Sequence, residues 1–90
     1  MGLRLHPSAR KHQRRDKLTD EGILRAAEYW EFASTPDDEM PANEFRLGFD
    51  GQGRLLELQV LIFDSGDELV IHAMKARKQY LSLLDASSAE

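Results

Sequence analysis

The chain has 90 residues, 41% of them hydrophobic, with no cysteine and a net charge of −4. That length holds one hydrophobic core and no second domain. The missing cysteines exclude disulfides and thiolate metal sites. Apolar runs are too short for a membrane span, no signal-peptide core follows "MGLRLH", and His6 stands where a myristoylation signal has Ser or Thr. The expected setting is therefore the cytoplasm, without membrane association.

Charge is unevenly distributed. Residues 1–17 carry six basic side chains against Asp16, a balance of +5. Residues 18–74 carry three basic and thirteen acidic side chains, −10, and the remainder is +1. Two basic ends thus enclose an acidic middle. If the ends meet in space, the surface becomes dipolar and able to steer anions despite the negative total.

In chain order, "LRLH" reads as a short strand or an extended lead-in. Pro7 suits the first turn of a helix, and "SARKHQRR" is helix-forming but has almost no apolar stripe, so it must lie on the surface. Thr19 is a candidate N-cap, with Asp20 and Glu21 beside the positive helix end. "EGILRAAEYWEF" places Ile23, Ala26, Ala27 and Trp30 at helical spacing, and Trp30 reads as a core anchor. "ASTPDDEMPANE", with two prolines and four acids, is expected to be a loop.

The period then changes to two. "EFRLGF" alternates around Phe45, Leu47 and Phe49, and "DGQG" supplies a turn. "RLLELQVLIF" sets Leu56, Leu58, Val60 and Ile62 on one side, with Leu55, Glu57, Gln59, Leu61 and Phe63 opposite. "DSGD" is a second turn and "ELVIHAM" a third strand. From Lys75, "KARKQYLSLL" returns to a helical pattern, and "DASSAE" is expected to fray. The sum is one α+β domain over 1–90, ordered from about 6 to 84. N-terminal helices pack on a three-stranded antiparallel meander, to which the N-terminal strand could add, and a helix closes the chain.

Few patterns carry chemistry by themselves. His6, His12 and His72 lack metal-ligand spacing, and no phosphate-loop motif occurs, so neither a metal nor a cofactor is expected. Ser8, Ser34, Ser65 and Ser82 sit in ordinary turn or helix contexts. A constellation joining the two ends is more informative. "IHAMKAR" delivers His72, Lys75 and Arg77 to a strand exit, while the first helix offers Arg10, Lys11, His12, Arg14 and Arg15. Cleaving an RNA phosphodiester needs proton transfers that histidine performs near neutrality, and charge stabilisation that Arg and Lys provide. Plainer readings stand beside this one: His72 as a hydrogen-bonded residue at the sheet margin, and the arginines as solvated or paired with acids.

The motifs "HPSARKH", "TDEGILRAA", "GRLLELQVLIF" and "ELVIHAMKARKQY", in that order, resemble the BrnT-type toxins of bacterial toxin–antitoxin modules, which have a RelE-like fold. The resemblance spans most of residues 6–84. Its most specific pieces are Lys11–His12 and the exit with Ala76 and Arg77, whereas Lys75 departs from the usual Ser and "QRRDKL" lengthens the segment after His12. The resemblance implies a metal-independent endoribonuclease that slows translation and is silenced by a cognate antitoxin. Its expected partners are RNA and that antitoxin, in a homodimer or a hetero-oligomer. Arg77, His72 and His12 would be catalytic, and Arg10, Lys11, Arg14, Arg15 and Lys75 would bind RNA. The alternatives are a non-catalytic protein-binding module of the same fold, or a toxin acting on a protein target such as a topoisomerase.

Overall fold

The computed structural model describes residues 2–88. Strand β1 (Leu3–Leu5) leads through a 3-10 turn (Pro7–Arg10) and the single-turn helix α1 (Gln13–Asp16) to α2 (Asp20–Glu28). Strands β2 (Phe32–Ala33), β3 (Ala42–Phe49), β4 (Leu55–Ile62) and β5 (Glu68–Lys75) follow. A second 3-10 turn (Lys78–Tyr80) then leads into α3 (Leu81–Ser88). Residues 89 and 90 of the expected frayed tail lie outside the described residues.

The result is an α+β domain with a five-stranded mixed sheet in the order β1-β5-β4-β3-β2. The expected meander is β3-β4-β5, and two short strands extend it. β1 pairs parallel to β5, so the sheet is not purely antiparallel. β2 pairs with Leu47 and Arg46 in a stretch expected to be the end of a helix and a loop.

Local chemistry explains most boundaries. The Thr19 hydroxyl accepts from the Gly22 N–H at 2.9 Å, capping α2. The helix stops at Glu28 because Glu31 donates its N–H to the Leu47 carbonyl and the chain joins the sheet. Strand pairing overrides helix propensity there. Ile23, Ala26 and Ala27 are fully buried as their spacing requires, but Trp30 falls beyond the helix and is 47% exposed, not a core anchor. The expected first helix is likewise split at Lys11–His12 into the 3-10 turn and α1, and Lys17, in a left-handed conformation (φ 58°), ends α1.

Helix α2 packs on the face formed by Leu56, Leu58 and Val60 of β4 with Val70 and Ala73 of β5, joined by Ala9 and Leu18. Helix and sheet meet closely at Gly48, where a Cβ would sit 2.0 Å from the Ala26 carbonyl oxygen. Only glycine permits that approach. Behind it, the buried Arg46 guanidinium donates to the Glu44 and Glu68 carboxylates and to the Ala27 carbonyl, tying the end of α2 to the sheet. Among the described residues no helix is long and apolar enough to cross a membrane.

Candidate functional site

The second face of the sheet carries the polar cluster, and a β-bulge puts it there. Gln59 pairs with His72 while Val60 pairs with Val70, which leaves Ile71 as the extra residue. Val70 and His72 share parity, so an unbroken strand would point both at α2. The bulge turns His72 onto the face of Gln59 and Glu57. The Ile71 carbonyl, displaced from the ladder, accepts from the Ser8 hydroxyl at 2.8 Å. The "HPSAR" segment is thereby pinned beside β5.

That pinning brings the termini together. The His12 and His72 rings lie edge to face with centroids 5.8 Å apart. The Asp16 carboxylate accepts from the Lys75 backbone N–H at 3.0 Å, docking α1 against the end of β5. Arg54 reinforces this dock, donating to the Asp16 and Lys17 carbonyls at the end of α1.

Glu57 organises the other side of the cluster. Its carboxylate is 1% exposed and accepts from Arg77 Nε at 3.0 Å, Arg77 Nη2 at 2.9 Å and the Arg77 backbone N–H at 3.2 Å. His72 Nε2 lies 3.3 Å from Oε2, the oxygen that also accepts from Arg77 Nη2. With Nε2 directed at Glu57, Nδ1 is the ring nitrogen of His72 left for another partner. Burial pushes the Glu57 carboxyl up, but the hydrogen bonds from Arg77 and His72 outweigh it and hold it below the usual carboxylate range. Arg77 remains half-exposed, its guanidinium 5.5 Å from the Tyr80 ring centre, and Tyr80 in turn packs on Phe45.

The His12 imidazole is held below its ordinary value by loss of hydration, reinforced by the charges of Arg15 and its neighbours. A ring kept neutral in this way suits proton abstraction. The cations divide into two sets. Arg10 is bound to Asp20 through both Nε and Nη2, and Arg15 to Asp16. Lys11, Arg14 and the Lys75 side chain are exposed, and among the described residues no carboxylate pairs with them.

The structure therefore collects His12, His72, Arg77 and Lys75 around the exit of β5, with Lys11 and Arg14 on the adjoining segment. It commits Arg10 and Arg15 to carboxylates. Two acids, Glu57 and Asp16, were not among the expected site residues. Glu57 has one signal in the sequence, a lone carboxylate within the apolar run "LLELQVLIF". Among the described residues no group of three or more His, Asp or Glu side chains is placed to hold a metal ion. Compared with models of protein families, with curated proteins and with solved structures, the chain matches none.

Proposed function

We propose that the protein is a metal-independent endoribonuclease with a RelE/BrnT-like fold, the cytoplasmic toxin of a toxin–antitoxin pair. The observation that carries this reading is the meeting of His12 and His72, 5.8 Å apart, beside an arginine held by the carboxylate that also contacts His72. Neutral His12 takes the proton of a ribose 2′-hydroxyl, whose oxygen attacks the neighbouring phosphorus. Protonated His72 returns a proton to the departing 5′-oxygen. The products are a 2′,3′-cyclic phosphate and a 5′-hydroxyl. Arg77 is aimed by Glu57 through Nε and Nη2, and the rest of its half-exposed guanidinium faces the developing charge on phosphorus. Lys11, Arg14 and Lys75 supply the long-range attraction that an acidic protein otherwise lacks.

The reading is tested by incubating purified protein with RNA in EDTA and examining the new ends. Cyclic phosphate ends are expected, and Arg77→Ala should slow cleavage on the order of 100-fold. Binding should weaken steeply with added salt, with a slope close to the number of phosphates contacted. One observation favours a second reading, a non-catalytic protein-binding module: Arg77, Arg10 and Arg15 are all engaged by carboxylates. RNA left intact at high protein concentration would select that reading.

A further inference from the structure

At the other end of β5, about 13 Å from His72 along the strand, a hollow of about 510 Å³ opens between the start of β1, the end of α2 and Glu68. Trp30 forms one wall and Glu28 part of the rim, with Leu3 and Arg46 also in the lining. We propose that this hollow is a docking site for a lysine or arginine side chain presented by an extended segment of a protein partner. The inference is independent of whether the histidine cluster cuts RNA.

The chemistry of the lining selects a cation. Arg46 is the one positive side chain among the described residues of the lining, and its donors are consumed by Glu44, Glu68 and the Ala27 carbonyl. The two carboxylates of the lining, Glu28 and Glu68, thus outnumber it. A buried anion would meet a guanidinium already spoken for, and a cation meets surplus carboxylate. Trp30 adds a second, separate attraction. It is 47% exposed in a chain whose other helix-spaced apolar residues are fully buried, and indole is the aromatic face that binds cations best. Trp30 thus gives the hollow an aromatic wall beside the Glu28 and Glu68 carboxylates, complementary to a basic segment.

The neighbouring backbone explains why the cation would come on an extended chain. β1 is the edge of the sheet. Gly2 and His6 direct their backbone groups to β5, so the alternate residues Leu3 and Leu5 direct theirs outward. An added strand can pair with that edge, which begins at the hollow.

Trp30 is the chain's single tryptophan, so its emission reports on the hollow directly. The probe is a hexa-arginine peptide, with hexa-glutamate as control. Saturable change in Trp30 emission is expected with the first and none with the second. Glu28→Gln should weaken binding about threefold, and Trp30→Ala, followed by calorimetry, about tenfold. Asp38→Asn, in the exposed acidic loop, should leave it unchanged. Three results would overturn the proposal. Emission could stay constant, or Asp38→Asn could weaken binding as much as Glu28→Gln, which reduces the effect to overall charge. Emission could also shift with protein concentration alone as a dimer forms, making a second copy the occupant.

Discussion

Glu57→Gln is expected to lower the rate of RNA cleavage on the order of 100-fold while leaving RNA affinity nearly intact. The amide keeps the shape of the carboxylate but offers one acceptor oxygen where Arg77 and His72 now share two. His72 loses the partner that fixes its orientation, and Arg77 swings into solvent. Because Arg77 is half-exposed, it rehydrates at little cost, so the stability loss should be only about 2 kcal/mol. The pH dependence follows from the lowered Glu57 carboxyl. Its contribution to stability is full above the ordinary value of 4.5 and is lost as pH falls through the lower folded value. Wild type and variant should therefore converge in stability on acidification below about pH 4.5. Urea titrations at several pH values, together with single-turnover cleavage, check both halves. A faster variant would mean that Glu57 restrains Arg77 instead of aiming it.

Arg46→Ala is expected to be strongly destabilising, costing about 3–5 kcal/mol. The side chain is 4% exposed and satisfies two carboxylates and a helix-terminal carbonyl together. Its removal strands Glu44 in a buried position and frees the end of α2 from the sheet. For a domain of this size the loss corresponds to a fall in Tm of roughly 12–40 °C. The double variant Glu44→Leu with Arg46→Met should recover most of it, because apolar replacements of similar volume remove the stranded charge. Thermal unfolding of the three proteins decides the matter. Equal stability of Arg46→Ala and wild type would show that the ion cluster contributes nothing to the fold.

Much of the sheet was legible because its signals are local. Alternation placed Leu56, Leu58 and Val60 on the face that α2 covers, and Thr19 announced the start of that helix. What escaped depends on partners distant in the chain. The end of α2 is set by Glu31 bonding to Leu47, and β2 exists only because β3 is there to pair with it. Parity alone assigns His72 to the core side with Val70, and only the bulge at Ile71 reverses it. Glu57 showed only as a lone carboxylate in an apolar run, since its role depends on Arg77 arriving from 20 residues away. The meeting of the first basic segment with the exit of β5 entered only as a condition drawn from the charge distribution, and the splitting of its cations into free and paired sets is a property of the folded surface.

The most direct measurement is the pH–rate profile of RNA cleavage in EDTA, wild type beside His12→Ala. Wild type should lose activity as pH falls below the ordinary histidine value of 6.5, where the depressed His12 begins to take up its proton. His12→Ala should be slower by on the order of 100-fold and lack that acidic limb. RNA that stays intact with wild type, or is cut at the same rate by His12→Ala, would contradict the histidine pair as the cutting centre.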